Sequence, residues 1–497
     1  VRLVGSEMCI RDSDSMVKVA DETMLMAHLM RRAGFGATKS GLEELAQDGY
    51  EPTVDSMIHP GTDSEINDAM VRRYFPDQSA LHDSSGAGAY WLYRLVSTKD
   101  PLREKMAFFW HNIFATGYAK VTNGRPLSDQ LKMFRAHGMG TLDNLLLQLS
   151  RDPAMIIWLD NIDNHSGAIN ENYGRELLEL FSMGVGNYTE DDIKECSRAF
   201  TGWTIANRDY IKQLAVRNSI WPYGKLAWRY EYDPDDHDSG EKTFLGEKGN
   251  FNGEDIIEII CNQPATARFI ARHMYHFFVA DEPPVPAWPY KDPQDLQAME
   301  ILEKAYFDSG HDISFMLETL FKSEFFKSED CHYKKIKSPA ELVAGVLRTT
   351  EEFQQDPRIE INEKTNQISF MGQTLLNPPS VEGWHQGLEW IETGALTESV
   401  NFSANNLGDT IKFVIKKLVS NVLQTTSQSM TAEECVDRCL DELGCIRVSD
   451  YIRDSLIEFA DESGISEIDL KNEKDEAEVK MSGILSVIGS VPEFQRS

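Results

Sequence analysis

The 497 residues are 41% hydrophobic and 10% aromatic, enough to bury a sizeable core and, by length, to build roughly two to four domains. Eighty acidic residues against 49 basic ones give a formal charge of -31, which repels a polyphosphate backbone or an anionic bilayer and argues against nucleic-acid binding. The seven cysteines are scattered and build no disulfide framework, and no apolar run nears the ~18 residues of a membrane span.

The opening VRLVGSEMCIRDS starts on Val1 and has the look of translated adaptor sequence, so residues 1–20 read as a non-native or disordered leader. No apolar core of an export signal follows. As written the chain reads as cytoplasmic, with a lost upstream signal and export as the alternative. Residues 21–430 read as the main helical domain and 431–497 as an acidic helical subregion packed on it.

A short amphipathic helix over Met24–Arg32 is closed by GFGAT, and the aromatic-rich stretch Ala89–Thr116 continues the helical pattern. Leu142, Leu145, Leu146 and Leu149 form an apolar stripe at helical spacing, as do Ile411, Val414, Ile415, Leu418 and Val422. Gly184 and Gly186 stop LLELFSM, Thr189 is placed to cap EDDIKECSRAF, and Gly253 opens EDIIEIIC. Strand signals concentrate in Trp221–Tyr232, where aromatics alternate around Gly224 as in a small hairpin. Pro283–Pro293 reads as an extended loop and Asp356–Gln367 as a polar one. From Glu433 onward there are 17 acidic residues against seven basic ones, with Val436, Cys439, Leu440 and Leu443 facing inward. The pattern is all-α with a minor β-hairpin near residues 221–232.

Chemistry-bearing residues crowd between Phe108 and Trp203. In NENYGRELLELF, Glu171, Arg175 and Glu179 recur at i, i+4 and i+8 while Leu177, Leu178, Leu180 and Phe181 take the opposite side. That is the signature of a salt-bridged solvated face, or of Asn170, Arg175 and Glu176 projecting into a cleft for binding and acid–base work. Asp160 stands just upstream, and His111 with Asn112 lies inside the aromatic run FFWHN, where an imidazole is either a satisfied core group or one tuned for proton transfer. The loop YDPDDHDSGEKTFLG resembles a calcium loop but holds Asp238 and Phe244 where Gly and an acid are required. An irregular cation or polar-ligand loop using His237, Asp238 and Lys242 stays open. His273 and His276 have a metal-compatible spacing with no third ligand nearby, and Cys439 of the Cys435, Cys439, Cys445 group belongs to an apolar stripe. No metal site is expected, and no cofactor follows from the residues. There is no phosphate-binding P-loop, zinc-helix HExxH or GxSxG elbow. Trp384, His385 and Trp390 of NPPSVEGWHQGLEWI suit either a packed lid or a sugar-stacking wall.

HLMRRAGFGAT, REKMAFFWHNIFATG, SRDPAMIIWLDN, NENYGRELLELFSMGVGNYTE, AFTGWT, DDHDSGEKTFLG, NPPSVEGW and the closing PEFQ occur in order from about residue 24 to the C-terminus. This series resembles the bacterial family called domain of unknown function 1800. The resemblance transfers no catalytic residue. It implies, as a partner, a sulfatase-like protein of the family called domain of unknown function 1501. Two functional classes follow. One is an enzyme or ligand-binding protein acting on a polar or anionic substrate, with His111 and Glu176 as proton-handling groups and Asn112, Asp160, Asn170, Glu171, Arg175, His237 and Lys242 as substrate-binding groups. The other is a non-catalytic scaffold in which the same groups specify the fold.

Overall fold

The structure, a computed structural model, describes residues 22–61, 66, 84–206, 228–283, 291–351, 361–410, 413–424, 429–470 and 472–497. The leader read over residues 1–20 lies outside them. The chain begins with α1 (22–32), α2 (Lys39–Asp48) and α3 (Tyr50–Ile58). Next come α4 (Ser84–Ser97), α5 (Pro101–Ile113), α6 (Gly124–His137), α7 (Leu142–Ser150) and α8 (Pro153–Trp158).

Helix α5 is the centre of the molecule. Asp100 caps its first turn and Pro101 stands at its start, where a missing N–H costs nothing. Every residue from Pro101 to Ile113 except Arg103 is buried, so this helix is apolar or internally paired on all sides. Helices α4 and α6 pack on it. The leucine stripe of α7 is completely buried at Leu142, Leu145, Leu146 and Leu149, each side chain contributing about 1.5–3 kcal/mol of apolar burial.

Helices α9 (Asn172–Glu179) and α10 (Glu190–Ala199) pack together. Gly184 and Gly186 between them have φ of 78° and 92°, left-handed values that glycine adopts at no steric cost. Thr189 caps α10 as expected, in a reciprocal capping box with Asp192. The β excursion follows: β1 (Trp203–Ala206) pairs antiparallel with β2 (Arg229–Tyr232), Trp203 opposite Tyr232. The expected hairpin thus has its second arm inside Trp221–Tyr232 and its first arm upstream, while Gly224 lies outside the described residues. A second two-stranded ribbon, β3 (Lys242–Phe244) with β4 (Glu247–Gly249), was not foreseen.

Asn252 caps α11 (Gly253–Cys261), and α12 (Pro264–Phe278), α13 (Leu296–Asp308) and α14 (Ile313–Lys322) pack in succession, α14 also resting on α3. Of the predicted loop Pro283–Pro293, residues 284–290 lie outside the described residues, and 283 and 291–293 have no regular structure. Helix α15 (Pro339–Thr349) also opens on a capping box, Ser338 with Glu341. The polar loop expected over Asp356–Gln367 is corrected in its second half, because α16 (Ile361–Phe370) is helical. Ile361, Thr365 and Ile368 recur at i, i+4 and i+7 and bury one face against α4, which a polarity count over the whole stretch hides.

The C-terminal third comprises α17 (Thr393–Gly408), α18 (Phe413–Gln424), α19 (Ala432–Glu442), α20 (Asp450–Glu462) and α21 (Lys474–Ile488). Ile415, Val419 and Val422 of α18 are buried, as are Val436, Cys439, Leu440 and Leu443; Ile411 lies outside the described residues. One hydrophobic cluster runs from Met26 through Trp110 to Phe494, so the acidic end shares its core with the first helices. The chain end closes on the centre: residues 335–337 pair with 495–497, and Ile336 bridges Arg496. The six described cysteines are free and buried, and no described helix is long and apolar enough to cross a membrane.

Candidate functional site

His111 sits near the end of α5 inside an aromatic box. The Trp91 ring meets it edge-on at 5.3 Å and the Trp384 ring lies 5.1 Å away. It has no solvent exposure, and neither ring nitrogen reaches a hydrogen-bond partner. Burial pushes its pKa down to about 3, so the imidazole is neutral across the physiological range. Gln130 is the polar side chain facing it, short of bonding geometry. Its amide nitrogen donates to Thr116 Oγ1 (3.1 Å) and to Asp152 Oδ1 (2.8 Å), and burial lifts Asp152 to about 7.

Asn112, the next residue, accepts through Oδ1 from the Trp384 backbone N–H at 3.0 Å. Gly383 has φ of 92°, and a Cβ there would fall 2.2 Å from the Asn112 carbonyl oxygen. Only glycine lets the 380–384 turn sit this closely on α5.

The loop between α8 and α9 is tied down by its own asparagines. Asn161 donates to the carbonyls of Phe200 and Trp203, Asn164 to that of Ser197, and Asn170 accepts from Asn172 N–H while donating to the Asp160 carbonyl. Asp160, left-handed at φ 56°, pairs with Lys120 at 2.6 Å. Arg175 forks onto Glu190 at 2.8 and 3.1 Å, with Glu171 3.6 Å away. Around β3 the pattern repeats. Arg198 grips Asp238 bidentately, Lys242 is sealed and donates to the carbonyls of Asp238 and Gly240, and His237 Nδ1 faces the Thr201 carbonyl at 2.9 Å.

Glu176 differs from these. It is half-buried and its carboxyl makes no hydrogen bond among the described residues. Burial raises its pKa to about 7, with Glu179 and, across the 380–384 turn, Glu382 adding to the shift and Arg175 opposing it.

The nine predicted site residues therefore fall into separate neighbourhoods. Asp160, Asn170, Glu171 and Arg175 share one, His237 and Lys242 another, His111 is sealed, and Glu176 faces its own carboxylate neighbours. Asn112 alone lines a recess. That recess holds about 450 Å³ of unfilled space, open solvent at its mouth included. Phe108 and Asn112 of α5, Phe277 of α12, the Lys335–Ser338 strap, Glu341 of α15, Gln373 and the 385–390 segment form its walls. Trp390 stands among them, whereas Trp384 is packed face-on against Phe108 at 5.7 Å.

The charges in this recess pair off: Lys335 with Asp281, Lys105 with Glu341, and His385 with Glu389. What remains is amide and aromatic. Asn112 and Gln373 each spend the carbonyl oxygen on a backbone N–H, from Trp384 and Ala340, which leaves their amide nitrogens as donors on the wall. Lys335, Gln373, Glu341 and Gln386 were missed in the sequence. The available signal was KKIKSPAEL, with two lysines flanking an apolar residue just before a capping box.

Among the described residues no three His, Cys, Asp or Glu side chains are grouped to hold a metal ion. His273 is half-buried against Phe269, and desolvation lowers its pKa to about 3. Fold and site together define an α-helical protein with an amide-lined aromatic recess beside its central helix. The chain belongs to the family described as "Protein of unknown function (DUF1800)", which matches residues 28–496. No curated protein and no solved structure matches it.

Proposed function

We propose that this protein binds a small, neutral, hydroxylated molecule in the recess between α5, the Lys335–Ser338 strap and the 385–390 segment. The observation that carries this reading is the composition of the walls. Phe108, Phe277 and Trp390 offer ring faces for the C–H surface of such a ligand, and Asn112 and Gln373 offer amide donors for its hydroxyls. The internal pairing of the recess charges argues against a fully charged ligand there.

The motif residues Asp160, Asn170, Arg175, His237 and Lys242 support a different role. Each is bonded within the protein, Asp160 and Arg175 through partly exposed ion pairs, which favours fold specification over substrate contact and gives the scaffold reading its own footing. Glu176 is the group best placed to handle protons, being solvent-reachable with a raised pKa.

A thermal-shift panel of mono- and disaccharides against the full chain separates the readings. The binding reading expects at least one sugar to raise Tm saturably, with the gain lost in Trp390→Ala and Gln373→Ala variants that still fold. A panel in which no sugar stabilises the wild type supports the scaffold instead.

A further inference from the structure

Five basic side chains converge beside α5 in a chain whose net charge is strongly negative. Lys105, Lys335, Lys337, Arg31 and Arg32 act on one another electrostatically, and the acids among them, Glu341 and Asp281, are committed to Lys105 and Lys335. Arg31 and Lys337 are left without a carboxylate partner. Arg31 donates through Nη1 to the Gly444 carbonyl and lies over the Tyr333 ring, yet its Nε and Nη2 are sealed from solvent with no partner. Lys337 donates to the neutral carbonyl of Phe494 at 2.6 Å. Both cations line a second recess, between α1, α15 and the turn that follows α19, on the other side of Glu341 from the first one. Its remaining walls are mostly apolar side chains, Leu42, Leu342, Val346, Leu443 and Ile446 among them, with backbone contributed by Gly34 and Gly36 of the GFG turn, Gly345 and Gly444.

We propose that this second recess is an oxyanion site that takes a phosphate or sulfate group between Arg31 and Lys337. A guanidinium with two unpartnered donor nitrogens and an ammonium held by one neutral carbonyl form a fork that a tetrahedral oxyanion satisfies with charge-assisted bonds. The empty cluster bears the cost of uncompensated positive charge, visible as Lys337 pushed down to about 7 by burial and next by Arg31. Two carboxylates stand on the wall: Glu341, committed to Lys105, and Glu493. The Glu493 Oε1 accepts from Ser449 N–H and its Oε2 is unpartnered, so it opposes an anion and limits affinity.

Isothermal titration of the full chain with sodium phosphate and with sodium sulfate, at ionic strength matched by sodium chloride, tests the site. Saturable one-site binding is expected, absent with chloride alone. Lys337→Met and Arg31→Met each weaken it on the order of ten-fold or more, and Glu493→Gln tightens it. Arg31→Lys keeps the charge and removes the fork, so it falls between wild type and Arg31→Met and stands in for that variant if it fails to fold. Glucose 6-phosphate is the second arm: binding tighter than inorganic phosphate assigns the site to an ester group, and weaker binding assigns it to the free ion. Trp390→Ala leaves these affinities unchanged, which separates this site from the neutral recess. Absence of saturable binding by either ion, or unaltered binding in Lys337→Met, overturns the proposal.

Discussion

Glu176 shows how one side chain on a motif helix departs from its neighbours. Its ordinary value of 4.5 is raised to about 7 in the folded chain, first by burial and then by Glu179. Between those values the folded protein holds a proton that the unfolded chain releases, so stability falls as pH rises through that window and is level above it. Glutamine mimics the neutral acid at every pH. Glu176→Gln is therefore expected to be more stable than wild type at pH 8 by about 1–2 kcal/mol, a figure discounted for the solvent that reaches this half-buried group. The advantage disappears near pH 4.5. Thermal denaturation of both proteins at the two pH values checks it, and an equal Tm at pH 8 removes the strain assigned to this carboxyl. The same residue shows what sequence spacing reveals. The i, i+4, i+8 pattern of Glu171, Arg175 and Glu179 correctly separated a polar face, and Arg175 is indeed ion-paired and exposed. Spacing held no information about Glu382, two hundred residues downstream, which adds to the perturbation.

At the scale of elements, local grammar was readable because it is written within four residues. Thr189 to Asp192 predicts a cap and forms one. Thr189→Ala is expected to cost about 1 kcal/mol, because it strands the Asp192 N–H that the hydroxyl now satisfies and breaks the reciprocal bond. Serine at the same position restores most of it. Urea denaturation midpoints of the three proteins decide the matter, with Glu190→Ala as a control that barely moves, since its pair with Arg175 is exposed. Long-range placement was not readable in this way. Nothing in FFWHN says that Asn112 is covered by Gly383, or that the KIK strap pairs with the chain end. The α16 helix was misread because its buried face uses only Ile361, Thr365 and Ile368 in an otherwise polar stretch. The recess is built from several such distant segments, among them α5, α12, residues 335–341, Gln373 and residues 385–390. Each looked like ordinary packing on its own.

Across the whole molecule two electrostatic effects pull stability in opposite directions as pH falls. A formal charge of -31 means that protonating carboxylates relieves self-repulsion, which predicts a protein that gains stability toward acid. Five histidines held largely away from water, His28 and His111 buried and His273, His276 and His332 partly so, predict the reverse. His111 and His273 titrate at about 3 and His332 at about 4, while His28 and His276 are lowered well below their ordinary value, burial being the largest cause in each. Their folded pKa values are depressed, so the stability they lend is whole above 6.5 and drains as pH falls toward the folded values. Four carboxyls return some of this below neutrality, Asp152 and Glu176, raised to about 7, and Asp100 and Glu282, also raised by burial, against the five imidazoles. Between pH 7 and 5 ordinary carboxylates hardly titrate, so relief of the net charge is small while each of these imidazoles withholds a proton that the unfolded chain takes up. Tm is therefore expected to fall from pH 7 to pH 5 at constant ionic strength, and His273→Phe, which removes one such group from an aromatic contact with Phe269, is expected to flatten the slope. A Tm that climbs over this interval would give the larger weight to the surface charge and make these imidazoles minor contributors.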